Sequence, residues 1–188
     1  DELTTPAGVE SYLPYYLPKE FYLVISRLVP YKRIDLAIQA SQRLNKKIVI
    51  IGTGPQESEL KKIANQNTYF LGNVTNIQRQ AIISQAQAIL MPGVEDFGIT
   101  AIESFLSKKP IILHQKSGAA ELIKNEAGVI LLQKLSINNL VAALEKIASL
   151  EFKNSSPKKK LAKYAINDFT KRFQTTVFKF YEQQKGRS

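Results

Sequence analysis

Apolar residues follow two alternating patterns along most of the chain. Six short runs are apolar throughout and rich in β-branched or aromatic residues, namely residues 21–25, 48–51, 69–71, 88–91, 110–113 and 129–132. Between them, apolar residues recur every three or four positions, which is typical of amphipathic helices. Strands without polar alternation are buried on both faces, so the pattern predicts an α/β fold: a single Rossmann-like, doubly wound domain with about six parallel strands.

Shifts in composition divide the chain into three predicted segments. Residues 1–19, with Pro14 and Pro18, are expected to be the remnant of an interdomain linker. Residues 20–150 hold the alternating strands and helices and form the predicted ligand-binding domain. Residues 151–188 are expected to form a basic helical tail, because they carry ten Lys or Arg between positions 153 and 187 and a helical aromatic stripe beginning near Asp168.

Composition excludes several classes of site. The 188 residues contain no Cys and one His, so the chain can build neither a disulfide nor a multi-histidine metal site. No apolar run approaches the roughly 20 residues of a membrane-spanning helix, and residues 1–5 lack the layout of a signal peptide. We therefore expect a cytoplasmic protein. The net charge of +10 leaves three explanations open: a solvated helix face, nucleic-acid contact, or contact with the inner face of a membrane.

Polar motifs follow the predicted strands at their carboxyl ends, where doubly wound sheets bind ligands. Arg27 and Lys32 follow the first strand, and two fixed positive charges suit a diphosphate. Gly52-Thr53-Gly54 follows the second strand, and Gly72 to Val74 follow the third. Taken singly, these are ordinary surface cations and tight turns. Their convergence on one edge of the sheet predicts a common pocket.

Two acids, Glu95 and Glu103, bracket the run Phe97-Gly98-Ile99-Thr100 after the fourth strand. We interpret this run as the start of a helix, where unpaired N–H groups and the helix dipole favour a phosphate. Glu103 falls about a turn and a half beyond Gly98, where its carboxylate can accept hydrogen bonds from vicinal sugar hydroxyls. A phosphate flanked by hydroxyls describes a nucleotide sugar. The alternative is that both acids are ordinary solvated charges.

In their order along the chain, these motifs resemble those of the family 4 retaining glycosyltransferases. The resemblance covers about residues 21–147 and points to the C-terminal, donor-binding half of the family's two-domain GT-B architecture. The segment from Glu95 to Ile99 is most similar to the O-antigen mannosyltransferase branch. The matching motifs are Ser26-Arg27-Leu28-Val29-Pro30-Tyr31-Lys32, Gly52-Thr53-Gly54-Pro55, the bracket from Glu95 to Glu103, and Gly118-Ala119-Ala120-Glu121.

The resemblance implies a role for each matching residue. Arg27 and Lys32 would bind the donor diphosphate, and Glu95 would contact the transferred sugar; these three are the expected catalytic residues. Glu103 would hold the nucleotide ribose. The other expected donor-binding residues are Gly54, Val74, Phe97, Gly98, Ile99 and Thr100.

The implied reaction is transfer of a hexosyl group, mannosyl by the branch resemblance, from a nucleoside diphosphate sugar to an acceptor hydroxyl with retained configuration. The donor would be a nucleotide sugar such as GDP-mannose, and neither a cofactor nor a metal is expected. The implied partners are a missing N-terminal acceptor domain and an acceptor that is a saccharide or is linked to a lipid. The resemblance also implies peripheral contact with a membrane, and no binding of nucleic acid is expected. We expect the isolated domain to bind nucleotide with little transfer. The alternatives are a non-catalytic nucleotide-sugar-binding module and a basic nucleic-acid-binding domain.

Besides the stretch Ser107-Lys108-Lys109-Pro110, which takes the place of a usual Cys-Gly-containing stretch before the fifth strand, four residues depart from the family pattern. Ser26, Arg33, Asp96 and Ser117 stand where the family often has glycine. Glycine at such positions serves a positive φ or a close approach of the backbone to another group. None of the four departures removes a charged contact to the donor.

Overall fold

The fold is seen in a computed structural model that describes residues 17–149 and 166–185. Six parallel strands form one sheet in the order β3-β2-β1-β4-β5-β6. The sheet grows from β1 outward to β3, and the chain then crosses back to place β4 on the other side of β1. This reversal is a topological switch point of the kind that binds ligands in doubly wound folds. The strands are β1 (Phe21–Ile25), β2 (Lys47–Ile51), β3 (Thr68–Gly72), β4 (Ala88–Met91), β5 (Ile111–His114) and β6 (Val129–Leu132).

Helices connect the strands, so the predicted doubly wound α/β fold is confirmed. A short 3-10 turn at Pro30–Lys32 precedes the first helix. The helices are α1 (Ile34–Arg43), α2 (Glu57–Ile63), α3 (Asn76–Gln85), α4 (Ile99–Leu106), α5 (Gly118–Ile123), α6 (Ile137–Ala148) and α7 (Ile166–Lys185).

One helix start differs from its sequence prediction. A proline at the first helical position is favourable, which predicts that the second helix opens at Pro55. In the structure α2 begins at Glu57, and Pro55 lies in the turn before it. The N–H of Gln56 donates to the carbonyl of Leu28 at 3.1 Å, so this turn is bound to the loop after β1.

The main core lies between one face of the sheet and helices α1 and α6. Alternate residues of a strand point to opposite faces, so Tyr22 and Val24 join this core while Phe21 and Leu23 are buried on the other side. Full burial of one large aliphatic side chain stabilises a fold by about 1.5–3 kcal/mol. The buried central strands β1 and β4 therefore hold the loops that follow their carboxyl ends in fixed positions.

Helix α7 belongs to a separate compact unit that starts at Ser155. Its stripe of aromatic residues is exposed, and the Phe169 and Phe173 rings stack with their centroids 6.0 Å apart. None of the described helices is long and apolar enough to cross a membrane. The predicted linker and basic tail fall in large part on residues 1–16, 150–165 and 186–188, which lie outside the described ranges.

Candidate functional site

The carboxyl ends of β1 and β4 lie side by side at the switch point, because these two strands pair directly. The loops that follow them are also bonded to each other. The N–H of Gly93 donates to the carbonyl of Lys32 at 3.1 Å. Lys32 and Glu95 are thereby brought from separate parts of the sequence to one edge of the sheet.

Lys32 and Glu95 form an ion pair between Nζ and Oε2. Their side chains are only 11 % and 20 % exposed, so the pair is largely shielded from water. The Lys32 ammonium also lies 4.7 Å from the centroid of the Tyr31 ring, a distance suited to a cation–π contact. A cavity of about 10 Å³, lined in part by Lys32 and Glu95, lies between the ends of β1 and β4.

Ser117 holds the backbone of Glu95 in place. Its hydroxyl accepts a hydrogen bond from the Glu95 N–H at 3.1 Å and lies 3.4 Å from the Gly93 carbonyl, to which it donates. The N–H of Gly118 donates to the Glu95 carbonyl at 2.9 Å. Ser117 is 2 % exposed, so these bonds are sheltered from water. The serine that replaces a frequent glycine therefore fixes the acid-bearing loop, a role that the sequence did not indicate.

The start of α4 leaves its backbone donors open. Gly98 is the N-cap residue, with φ at 72°, and no side chain of the described residues caps this helix. A Cβ at Gly98 would lie 2.7 Å from the Cβ of Ala119, so both the conformation and the packing require glycine. In the described chain, the N–H groups of Phe97, Gly98 and Ile99 bond to no protein acceptor. The predicted helix start is confirmed, and it offers the donors and dipole that an anion needs.

The side chains around this helix start face different environments. Phe97 is 83 % exposed, and Ile99 is exposed as well. Thr100, in the first turn of α4, is half-buried. Two large apolar side chains therefore lie in water beside the open N–H groups of α4.

Glu103 forms an ion pair with Arg79, a residue that the sequence analysis missed. Arg79 lies on α3, and its Nη1 is 2.9 Å from the Glu103 Oε2. Its Nε is buried and has no partner among the described residues. A signal was available: Thr75 and Gln78 form a capping box, which places Arg79 in the first turn of the helix that follows β3.

Arg27, Gly54 and Val74 also lie in loops at this edge of the sheet. The side chain of Arg27 is exposed and makes no hydrogen bond or ion pair within the described parts of the chain, so the structure does not bring it into contact with Lys32 or Glu95. Gly54 packs tightly, because a Cβ there would lie 2.4 Å from the Leu28 carbonyl oxygen. Val74 is half-buried, two residues after the end of β3.

Arg33 adopts the left-handed conformation that the family's glycine would favour. Its φ is 53°, and its guanidinium bonds to both oxygens of Asp35 at 3.1 and 3.0 Å. The hydrogen bonds that Arg33 donates to the Asp35 carboxylate raise the pKa of the Arg33 side chain above its usual value. The ion pair offsets part of the cost of a non-glycine residue at positive φ.

The single histidine has a structural position beside the site. The Nδ1 of His114 accepts a hydrogen bond from the Lys116 N–H at 3.1 Å, in the loop that carries Ser117. Burial and the charge of Lys116 lower the pKa of His114, which favours the neutral form. Within residues 17–149 and 166–185, no group of three or more His, Asp or Glu could hold a metal ion.

These features define a doubly wound domain with an open helix start, a shielded Lys–Glu pair and a second acid at its switch point. Residues 14–168 match the family described as "Glycosyl transferases group 1". The match covers most of the chain, and the protein belongs to this family. The expected GT-B type of domain is confirmed.

Individual relatives extend the comparison. An uncharacterized glycosyltransferase of Methanocaldococcus jannaschii, MJ1607, is 26 % identical over 184 residues, covering 90 % of this chain and 47 % of the relative. The O-antigen chain mannosyltransferase C of Escherichia coli is 27 % identical over 99 residues, covering 49 % and 27 %. A TarM mutant of S. aureus, solved with Fondaparinux, alpha-GlcNAc-glycerol and UDP, superposes with a TM-score of 0.71 at 20 % identity, covering 87 % and 36 %. The chain thus spans less than half the length of each of these proteins.

Proposed function

We propose that this chain is the donor-binding domain of a retaining glycosyltransferase that moves a hexosyl group from a nucleoside diphosphate sugar to an acceptor hydroxyl. The observation that carries the proposal is the uncapped start of α4 beside the Lys32–Glu95 ion pair. Family membership supports the reaction class. The UDP in the complex of the S. aureus relative supports a nucleotide as the ligand.

In this proposal the ion pairs Lys32–Glu95 and Arg79–Glu103 are replaced by contacts with the donor when it binds. A diphosphate carries more negative charge than one carboxylate, so it would draw the Lys32 ammonium away from Glu95. Glu95 would then accept hydrogen bonds from hydroxyls of the transferred sugar. Glu103 would accept hydrogen bonds from the ribose hydroxyls once they displace Arg79 from its carboxylate. The exposed side chain of Arg27 is free to close over the diphosphate from the loop after β1.

Catalysis would come from stabilising the charge of the leaving diphosphate. Arg27, Lys32 and the N–H groups at Phe97, Gly98 and Ile99 are the proposed donors, and each well-placed donor can contribute roughly 3–4 kcal/mol. Gly54, Val74 and Thr100 would complete the donor pocket, with Val74 beside the base. The proposal requires no metal, so a chelator should leave donor binding unchanged.

Mannose is the proposed sugar, with GDP-mannose as donor. The support is the similarity of the segment Glu95 to Ile99 to the O-antigen branch and the 27 % identity to the E. coli mannosyltransferase. The proposed partners are an N-terminal acceptor domain and a saccharide or lipid-linked acceptor at the inner face of a membrane. Without such a partner domain, these residues would bind donor and transfer little sugar.

Calorimetric titration of the 188-residue chain tests the proposal. The panel is GDP-mannose, GDP, UDP-glucose, UDP-GlcNAc and an RNA oligomer. We expect saturable binding of the nucleotides, tightest for GDP-mannose, and no saturable binding of RNA. Failure to bind any nucleotide would refute donor binding, and rapid sugar transfer by the chain alone would refute the half-enzyme interpretation.

A further inference from the structure

A second cavity lies at the edge of the sheet opposite the candidate donor site. Its volume is about 500 Å³, within the range of small-molecule sites. Its polar lining residues cluster at the amino ends of the strands: Tyr22 is the second residue of β1, and Lys46 and Gln87 directly precede β2 and β4. Lys108 and Lys109 come just before β5. The proposed donor site uses none of these residues.

The cavity is positively charged. Lys46, Lys108 and Lys109 contribute to its wall, and no Asp or Glu of the described residues does. Lys109 is half-buried and has no ion-pair partner within the ranges that the structure describes. Burial lowers the pKa of Lys109, because the ammonium loses water without gaining a counter-charge. A bound anion would supply that counter-charge.

Tyr22 provides a hydrogen-bond donor at the same cavity. The residue is only 2 % exposed, yet its hydroxyl forms no hydrogen bond in the described chain. Burial raises the pKa of Tyr22, so the phenol keeps its proton near neutral pH. The hydroxyl is not among the fully buried side-chain atoms that lack a partner in the described residues, so it is open to the cavity and can donate to an acceptor bound there.

Helix ends do not account for these lysines. Basic residues often follow helices because they complement the carbonyls at the carboxyl end. At the end of α4, backbone donors already fill that role: the N–H of Ser107 bonds to Glu103 at 3.0 Å, and that of Lys108 bonds to Phe105 at 2.9 Å. The ammonium groups of Lys108 and Lys109 therefore remain available for another partner.

We propose that this cavity is a second anion site that binds a diphosphate group, with Lys46, Lys108 and Lys109 neutralising the charge and the Tyr22 hydroxyl donating a hydrogen bond. Its volume exceeds that of a single phosphate and accepts a diphosphate together with a small attached group. The diphosphate belongs either to a soluble metabolite or to a lipid headgroup. The site is independent of the donor site, so it stands whether or not the chain binds a nucleotide sugar.

Titration with inorganic pyrophosphate, followed through the amide resonances of the ¹⁵N-labelled 188-residue chain, tests this site. The amides of Gln87 and Lys109 should shift saturably, separately from any shifts near Gly98. Lys109→Met keeps the aliphatic stem and should weaken binding roughly tenfold. Tyr22→Phe, which keeps the ring in the core, should weaken it about threefold. Lys124→Met, at an exposed lysine after α5, should leave the affinity unchanged.

Two results would overturn the site. The first is an absence of saturable shifts at Gln87 and Lys109. The second is unchanged affinity in both Lys109→Met and Tyr22→Phe when their spectra show native folding. Because Tyr22→Phe removes one oxygen and retains the core packing, the test survives if Lys109→Met fails to fold.

A vesicle experiment distinguishes the two sources of the diphosphate. The chain is sedimented with phosphatidylcholine vesicles that contain or lack diacylglycerol diphosphate, whose headgroup carries two linked phosphates. If the lipid headgroup is the source, binding to the acidic vesicles falls in Lys109→Met and persists in Lys124→Met. If a soluble metabolite is the source, both variants sediment like the wild type while pyrophosphate still binds. If neither Lys109→Met nor Tyr22→Phe weakens the binding of pyrophosphate or of the acidic vesicles, the proposal is wrong.

Discussion

Some helices of this domain start with a side-chain cap and others without one. The capped starts contribute to stability, whereas the uncapped start of α4 is the one proposed to bind a ligand. Helices α3 and α6 cap themselves: the Thr75 Oγ1 accepts from the Gln78 N–H, and the Ser136 Oγ accepts from the Asn139 N–H, each at 3.2 Å. Helix α4 starts at Gly98 without a side-chain cap within the described residues. The first two helices satisfy their own donors, whereas α4 leaves its donors open toward the edge where Lys32 and Glu95 meet.

The sequence explains this contrast at two positions of each helix. In α3 the N-cap is Thr75 and the third helical residue is Gln78, which together make a capping box. In α4 the corresponding residues are Gly98 and Ala101, and neither side chain can accept a hydrogen bond. Helices α1, α2 and α5 also start without a side-chain cap in the described residues, so α4 is set apart by its position beside the Lys32–Glu95 ion pair. Five changes would test or refine this contrast, and the first has the largest expected effect.

Gly98→Ala should abolish most nucleotide binding. Alanine at φ 72° costs about 1–2 kcal/mol, and its methyl would lie against the Cβ of Ala119. Displacing the open N–H groups should weaken GDP binding roughly a hundredfold, as measured by calorimetry. The matched control is Gly128→Ala, where φ is 78° before β6. It should lower the free energy of unfolding and leave GDP affinity unchanged.

Lys32→Met should weaken both GDP and pyrophosphate binding at the donor site roughly tenfold, because one charged contact is lost. The loss should be visible as a smaller salt dependence of binding. Lys62→Met, at an exposed lysine on α2, is the control and should match the wild type. Equal GDP affinities in Lys32→Met and Lys62→Met would contradict the placement of the diphosphate beside the α4 start.

Ser117→Ala should affect both stability and binding. It leaves the partly buried Glu95 N–H without its acceptor, which should lower the free energy of unfolding by about 1 kcal/mol in urea titrations. GDP affinity should fall about threefold, since Glu95 and the adjacent loop lose a support. Thr75→Ala, which removes the cap of α3, should cost about 1 kcal/mol of stability with unchanged affinity. If Thr75→Ala weakened GDP binding while Ser117→Ala left it unchanged, the distinction between capped and uncapped helix starts would be contradicted.

Arg79→Gln should distinguish ribose contacts from phosphate contacts. The variant releases Glu103 from its ion pair and from its fixed position. GDP should then bind about threefold more tightly, because the ribose no longer has to displace Arg79 from Glu103, while pyrophosphate, which has no ribose, should keep its affinity at the donor site. An equal loss of affinity for GDP and pyrophosphate would mean that Arg79 supports phosphate binding at the start of α4. It would contradict the assignment of Glu103 to the ribose.

Acidification should loosen the loop that carries Ser117. The pKa of His114 is lowered below its ordinary 6.5 in the folded state, so the folded protein binds this proton less readily than the unfolded chain. The stability that neutral His114 contributes is complete above pH 6.5 and is lost as the pH falls below that value. His114→Asn keeps an acceptor for the Lys116 N–H without titrating there. Urea unfolding between pH 5 and 7 should show a weaker pH dependence in the variant, by a small margin.

Much of the fold followed from the sequence, because uninterrupted apolar runs reveal strands buried on both faces. All six strands were predicted within one or two residues of their observed positions. The strand order was not predicted, since pairing depends on long-range contacts. Pro55 was misplaced because a tertiary bond from Gln56 to Leu28, rather than local propensity, sets the start of α2.

The candidate site was predicted only in part for a related reason. The rule that ligands bind at strand carboxyl ends anticipated the meeting of Lys32 and Glu95, although not that they would form an ion pair. Ser117 and Arg79 were missed because their partners lie 22 and 24 residues away and belong to other elements. Local patterns reveal which loops converge, while the side-chain contacts between loops depend on the packed structure.

The most direct test of the central claim is an amide-resonance titration of the chain with GDP. The account predicts that the resonances of Phe97, Gly98 and Ile99 shift most, because their N–H groups receive the phosphate, and that those at the capped start of α6, residues 137–139, stay in place. Shifts confined to other surfaces, with Phe97, Gly98 and Ile99 unmoved at saturating GDP, would contradict it.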